Sequence, residues 1–319
     1  MTYGKGQKFA LITGANQGIG YETAKKFAME GFNVKVACRN EVEGVKTVDK
    51  LNLILKRNGL GNSVSFVHLD LVSLASVEAC ANELLESGVI YDLIVLNAGV
   101  LFPKDKLTED GFETTFQVNF LGHYLLVRKL VNHISYEYAD VKVINMTSIM
   151  YSMTSRFWSF PFPSNAGEWN DLVRKDGPSK EEREARHILT KRMVRFQPYA
   201  VSKAAITMNA FQLNELPNVT SIAVHPGCVK TTLSMNTSNS FQIIVKIMKA
   251  FFTTPQKAAL NVFKGYQLMQ SPQFNPSKYL SAKQTQTLRK FVLSTPNFIA
   301  LQSFIAETIP NNHRLPSHL

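Results

Sequence analysis

An apolar run at residues 9–13 leads without a break into Thr13-Gly14-Ala15-Asn16-Gln17-Gly18-Ile19-Gly20, and from there into an amphipathic segment at 18–30. A short apolar run ending in glycines reads as a buried strand, and the glycines permit a turn too tight for side chains. The same alternation then repeats. Apolar runs at 34–38, 64–69, 93–96 and 141–146 read as strands. The segments 42–57, 74–87 and about 111–133 between them read as helices, with turn residues such as Gly59-Leu60-Gly61-Asn62 in the gaps. A further strand, 221–224, follows a helix that begins near Tyr199. Strands alternating with helices at this spacing predict βαβ units. The expected class is α/β: a single Rossmann-type, doubly wound parallel sheet with helices on both faces. The chain has 319 residues, no linker and no repeat, so one domain over 1–319 is the economical reading.

Residues 151–198 break the rhythm. Trp158, Phe160, Phe162 and Trp169 are interrupted by Pro161 and Pro163, and a charged run follows. Ser179 with Glu182 forms a capping box, which predicts a short helix over about 180–194. This stretch reads as an insertion ahead of the Tyr199 helix, serving as a surface flap or oligomer contact, or as the wall of a substrate pocket. Further on, 241–252 reads FQIIVKIMKAFF, with Lys246 and Lys249 among large apolar residues. It fits a basic amphipathic helix lying in a membrane interface. It also fits a lid over an apolar pocket, which is favoured because the segment is short and apolar nearly all round. The substrate lid is expected over 233–275.

Hydrophobic residues make up 45% and charged residues 18%, proportions that exclude disorder. The net charge of +11 suits nucleic acid, an anionic membrane surface or a phosphorylated cofactor. No basic run is interleaved with aromatics, so nucleic acid is set aside. Cys38, Cys80 and Cys228 are odd in number and far apart, which gives neither a disulfide framework nor metal-ligand spacing. A reduced, intracellular and cytoplasmic setting is expected, with no metal. The polar N-terminus has no signal-peptide core, and no apolar stretch is long enough to span a bilayer. Surface attachment through 241–252 stays open.

Glycines at the exit of the first strand let the backbone approach a pyrophosphate. The helix N-terminus behind them offers free N–H groups and a positive dipole end. The residues ending the second strand discriminate between dinucleotides. A carboxylate there would bind the ribose hydroxyls of NAD and repel a 2′-phosphate. Here stand Cys38, Arg39 and Asn40, with no acid before Glu41. The planar fork of Arg39 can pair with a 2′-phosphate, so NADP(H) is expected over NAD(H). A solvated loop charge is the alternative reading of Arg39. Tyr199 and Lys203 are four apart and share one face of a helix. A free phenol, with a pKa of about 10, is a poor base at neutral pH, and an adjacent ammonium favours its phenolate.

Taken in order, these elements resemble the short-chain dehydrogenase/reductase family. The matching pieces are TGxxxGIG at 13–20, Asp70 after the third strand, Asn97-Ala98-Gly99 after the fourth and Asn119 in a long helix. Ser148 after the fifth strand, Tyr199-x-x-x-Lys203, and Pro226-Gly227 followed by Val229 and Thr231 complete the series. The match runs from about residue 8 to 232, and Tyr279-Leu280-Ser281 looks like the last strand. Finer pieces resemble the retinol dehydrogenase-like and carbonyl reductase-like branch: Ala37-Cys38-Arg39-Asn40, Leu69-Asp70-Leu71, Val118-Asn119-Phe120-Leu121-Gly122-His123-Tyr124 and Phe251-Phe252-Thr253-Thr254-Pro255. Two departures stand out. Gln17 occupies a place where many NADP-dependent members carry a basic residue, and the insertion sets Ser148 and Tyr199 51 residues apart. Carbonyl reductase-like members carry a comparable insertion.

The resemblance implies a catalytic set of Asn119, Ser148, Tyr199 and Lys203. It implies that Gly14, Asn16, Gln17, Gly18, Ile19, Gly20, Arg39, Asn40, Asp70, Leu71, Asn97, Ala98 and Gly99 bind the cofactor. Tyr199, Lys203, Pro226, Gly227, Val229 and Thr231 would complete that site, the last four around the nicotinamide amide. Tyr199 would protonate a carbonyl oxygen during reduction, Ser148 would hydrogen-bond it, Lys203 would hold the ribose, and Asn119 would support a water linking Lys203 to solvent. Thr147 is a rival hydroxyl beside Ser148, and Asp70 reads as an adenine contact or a helix cap. His123 and His225 read as structural, since neither has an acidic partner or metal-ligand spacing. The expected substrate is a lipophilic carbonyl or alcohol: a retinoid, steroid, fatty aldehyde or xenobiotic ketone. The alternative is a non-catalytic cofactor-binding interaction protein on the same fold, which would not need all four catalytic groups. The spacing of Gly14, Gly18 and Gly20 argues against an extended epimerase or dehydratase. Relatives are often dimeric or tetrameric, so a homo-oligomer is a further expectation, although the insertion weighs against the usual helix-packed interface.

Overall fold

The computed structural model describes residues 6–134, 140–152, 163–174, 197–227, 229, 253–282 and 284–309. Eight strands form one sheet: β1 (Lys8–Thr13), β2 (Phe32–Cys38), β3 (Val64–His68), β4 (Leu93–Leu96), β5 (Val141–Met146), β6 (Val219–Val224), β7 (Lys278–Leu280) and β8 (Thr285–Thr287). Their order is β3-β2-β1-β4-β5-β6-β7-β8, parallel throughout except for the antiparallel β7–β8 pair. The winding reverses between β1 and β4, and a crevice opens there at the carboxyl ends of the strands. Central strands packed on both faces need continuous apolar runs, and β4 is buried at all of its positions.

Eight helices among the described residues cover the sheet: α1 (Gly18–Met29), α2 (Glu41–Arg57), α3 (Leu74–Glu86), α4, α5 (Ala166–Val173), α6 (Gln197–Gln212), α7 (Pro255–Met269) and α8 (Thr295–Thr308). α4 is continuous through Thr114–Phe116, a π-helical turn at Gln117–Leu121 and Gly122–Ile134. α1, α2 and α7 cover one face, where Phe27 meets Phe32 and Tyr266 edge to face at 5.3 and 5.5 Å. α3, α4, α5, α6 and α8 enclose the other. Local chemistry sets the helix starts. Asn40 Oδ1 accepts from Glu43 N, Ser73 Oγ from Ser76 N, and Thr254 Oγ1 from Lys257 N just ahead of Pro255.

The strands and helices expected for the first half form within a few residues of their anticipated bounds. Two expectations change. Of the substrate lid placed over 233–275, residues 255–269 instead form α7, which packs Ala258, Val262 and Tyr266 against α1 and the sheet. Within the insertion, 163–174 sends part of its surface into the core. Trp169 of α5 is fully buried, 5.8 Å from Phe116 and stacked on Phe304 of α8 at 6.3 Å. The short antiparallel β8, exposed along its length, had no apolar signal. The expected helix at 180–194, the segment 241–252, Trp158, Phe160, Phe162, Cys228 and Thr231 lie outside the described residues. Among those described, no helix is long and apolar enough to cross a membrane.

Candidate active site

The glycine turn is built by close approach. A Cβ on Gly20 would lie 2.2 Å from Gly14 O and 2.5 Å from Asn97 Nδ2, so the first turn of α1 presses directly on the loop ahead of it. Gly14 has φ +64°, and its N–H donates to Ala37 O at 2.7 Å. The ends of β1 and β4 are stitched together: Asn97 N and Ala98 N donate to Thr13 Oγ1, and Asn97 Nδ2 donates to Thr13 O. Gln17, the residue before α1, is extended and provides no side-chain cap, and the first turn of α1 holds no acid. The leading N–H groups of α1 thus carry no side-chain cap and could receive an anion.

These elements border a cleft of about 290 Å³. It is lined by Gly14, Asn16, Gln17, Gly18, Ile19, Gly20 and Arg39, by Asp70, Leu71, Asn97, Ala98 and Gly99, and by Tyr199, Lys203 and Pro226. The exposed Arg39 makes no ion pair among the described residues. Beside it, burial pushes the Cys38 thiol up to about 11, which keeps it neutral. Asp70 Oδ1 accepts from Val72 N, and Ser73 rather than Asp70 caps α3, so the helix-cap reading of Asp70 falls. Asn40 is spent as the cap of α2 and does not line the cleft. Gly227 and Val229 lie past Pro226 and do not line it either; Val229 bridges to Thr253. Ala37, Cys38, Leu69, Val118 and Thr147, named above without a cofactor-binding role, also line it, as do Val72, Val100 and Met146, which were missed. In sequence, such residues look like ordinary core.

Along α6, Tyr199 and Lys203 stand one turn apart. Lys203 is 6% exposed; its Nζ donates to Met146 O at 2.8 Å and sits 5.7 Å from the centroid of the Tyr199 ring. Burial lowers its pKa to about 8. Of the two neighbouring hydroxyls, Thr147 Oγ1 is committed to Thr207 Oγ1 at 2.6 Å and Lys203 O at 3.2 Å. Ser148 is half-buried, and among the described residues its Oγ accepts from Met150 N at 3.3 Å.

Asn119 is held firmly in place. Its Oδ1 accepts from Val100 N at 2.7 Å, while Nδ2 donates to Val100 O and Ser202 Oγ, both at 3.1 Å. The side chain is a clamp between the loop after β4 and α6, with both amide hydrogens in use. It still borders Lys203: a Cβ on Gly99 would lie 3.1 Å from Asn119 Oδ1 and 3.7 Å from Lys203 Nζ. His123 and His225 flank the same lysine. Burial first, then the charge of Lys203, lowers them to about 3 and about 4, so both stay neutral.

A family model described as short chain dehydrogenase matches residues 8–160. Retinol dehydrogenase 13 of Homo sapiens is 32% identical over 235 residues, 72% of this chain and 61% of that protein. Retinol dehydrogenase 12 of Mus musculus is 31% identical over 258 residues, 79% of this chain and 71% of that protein. The chain thus spans less than two thirds of the length of the first of these relatives. Among solved structures, an alcohol dehydrogenase from the archaeon Thermococcus sibiricus, complexed with 5-hydroxy-NADP, superposes with a TM-score of 0.57 at 21% identity. That match covers 86% of this chain and 94% of the other, and it shows a shared fold.

Proposed function

The chain belongs to the short-chain dehydrogenase family, in its retinol dehydrogenase-like branch, and from that premise we propose that it is an NADP(H)-dependent oxidoreductase acting on lipophilic carbonyls or alcohols. One observation carries the reading: the same cleft is lined by a glycine turn, by Arg39, which makes no ion pair among the described residues, and by Tyr199 and Lys203. The residues suit a phosphorylated dinucleotide. The uncapped N-terminus of α1 takes the pyrophosphate, and Gly20 leaves no room for any larger residue beneath it. Arg39 takes the 2′-phosphate, with no carboxylate at the end of β2 to oppose it.

When bound, the nicotinamide supplies or accepts the hydride. The protein's own groups handle the proton. In the reductive direction Tyr199 donates its hydroxyl proton to the substrate oxygen as negative charge develops there. Ser148 donates a hydrogen bond to the same oxygen. The buried ammonium of Lys203, held by Met146 O, stabilises the charge left on the phenol oxygen. In oxidation the same groups work in reverse.

The substrate class is part of the proposal: retinoids, in line with the names of the relatives, or steroids, fatty aldehydes or xenobiotic ketones, as the family resemblance implies. Peripheral membrane contact through 241–252 and self-association are proposed alongside it. The test measures NADPH and NADH consumption against a panel of aldehydes and ketones, with Tyr199→Phe in parallel. Turnover that prefers NADPH and apolar carbonyls, lost in Tyr199→Phe while NADPH still binds, is expected. Undiminished turnover by Tyr199→Phe would remove the assignment. NADPH binding without turnover of any substrate would point instead to a non-catalytic cofactor-binding protein.

A further inference from the structure

The hydroxyl of Thr13, where β1 ends, accepts backbone hydrogen bonds from Asn97 N at 2.9 Å and Ala98 N at 3.0 Å. Both lone pairs are thereby taken, and the hydroxyl hydrogen has to be donated. Two acceptors are within reach: His123 Nε2 at 2.8 Å and Val95 O at 3.4 Å. The shorter contact is the better bond. Nε2 is then a bare acceptor, and the ring hydrogen resides on Nδ1, which lies 3.3 Å from the carbonyl oxygen of Asn119 one turn back in α4.

A second ring proton has no place. It would sit on Nε2, facing an oxygen with no lone pair to spare, in a side chain that is fully buried. The groups around the ring are the Thr13 hydroxyl from β1, the Asn119 carbonyl from α4 and the Lys203 ammonium from α6, and they include no carboxylate. His123 thus bonds to both parts of the site, the turn after β1 and the backbone of α4. Its Nε2 holds the hydroxyl that organises the glycine turn. Its Nδ1 holds the backbone of Asn119, whose side chain borders Lys203 across Gly99.

We infer that His123, as the neutral imidazole with its hydrogen on Nδ1, is a positioning residue that couples the dinucleotide turn to the backbone of Asn119, whose side chain borders Lys203. The kinetic consequence rests on the function proposed above, whereas the tautomer does not.

The first arm of the test is two-bond proton–nitrogen NMR of protein labelled at histidine nitrogen, with the His123 signals assigned by their loss in a variant. A protonated Nδ1 and an unprotonated Nε2, unchanged from about pH 5 to 8, are expected. A protonated Nε2, or a titration within that range, would overturn the inference. The second arm separates the two bonds. His123→Asn keeps a donor near the Asn119 carbonyl and loses the acceptor for Thr13, while His123→Gln does the reverse. His123→Asn should raise the KM for NADPH with kcat nearly unchanged, and His123→Gln should lower kcat with KM nearly unchanged, each by about three- to tenfold for one neutral hydrogen bond. Parallel shifts of both constants in both variants would mark a merely structural residue and refute the coupling. If the wild type turns over no substrate, the proposed function fails. The tautomer and the NADPH Kd of the two variants, weakened in His123→Asn alone, then decide the inference.

Discussion

Gly20→Ala puts the close approach at the glycine turn under direct test. The added Cβ would stand 2.2 Å from Gly14 O, 2.8 Å from Gly14 C and 2.5 Å from Asn97 Nδ2, where real Cβ contacts essentially never fall under 3.0 Å. Two of those three atoms are backbone, in a residue whose N–H is pinned to Ala37 O, so no flexible side chain can swing away to relieve them. Overpacking of this kind costs about 1–3 kcal/mol, and a backbone obstacle argues for the upper part of that range. Displacing Asn97 Nδ2 from Thr13 O forfeits about 1 kcal/mol more. The higher helix propensity of alanine returns about 1 kcal/mol. The net destabilisation is about 2–3 kcal/mol, which corresponds to a Tm lower by roughly 4–10 °C for a chain of this size. Because the turn itself must shift, NADPH should also bind at least about tenfold more weakly. Thermal unfolding followed by circular dichroism and NADPH titration followed by fluorescence read the two effects. Gly61→Ala is the control, since a Cβ there meets nothing within 4 Å. A Gly20→Ala protein with the Tm and NADPH affinity of Gly61→Ala would refute the close-approach argument.

Other consequences are as concrete. Arg39→Ala should weaken NADPH by about 10- to 100-fold, the worth of charge-assisted bonds to one phosphate, and leave NADH nearly unchanged; equal losses for both would place Arg39 off the 2′-phosphate. Burial lowers Lys203 from 10.5 to about 8, so between those values the unfolded chain holds a proton that the folded chain has released. This residue's contribution to stability therefore rises with pH across about 8 to 10.5, and denaturation midpoints of Lys203→Met should lack that rise. The kcat/KM for reduction should fall above about pH 8 as the ammonium discharges; a profile flat beyond that point would contradict its electrostatic role. Trp169→Ala should cost about 3–5 kcal/mol by leaving a cavity against Phe116 and Phe304, whereas a surface flap would lose almost nothing. Denaturant unfolding separates those outcomes.

Local signals were enough for the architecture and for most of the cleft. A strand covered on both faces must be apolar along its length, and a helix covered on one face must be apolar every third or fourth residue, so the alternation could be read directly. Gly14, Gly18 and Gly20 were legible because a tight turn under a helix N-terminus constrains neighbours in sequence. Tyr199 and Lys203 were legible because four residues make one turn. The starts of α7 and α8 left comparable marks that could have been read, in Thr254-Pro255 and Ser294-Thr295-Pro296. What local pattern does not carry is the identity of a partner distant along the chain. Periodicity says that the faces of Trp169 and of 255–269 are apolar; only the tertiary structure places the first on Phe304 and the second on α1. The motif brings Asn119 to the site, but folding commits its amide to Val100 and Ser202. Thr147 and Ser148 are equivalent in sequence until Thr207, 60 residues away, takes up one of the two hydroxyls. His123 gains its tautomer from Thr13, 110 residues earlier. Hydrogen-bond capacity is spent in three dimensions, and which groups have any left for chemistry is settled only once the distant partners have met.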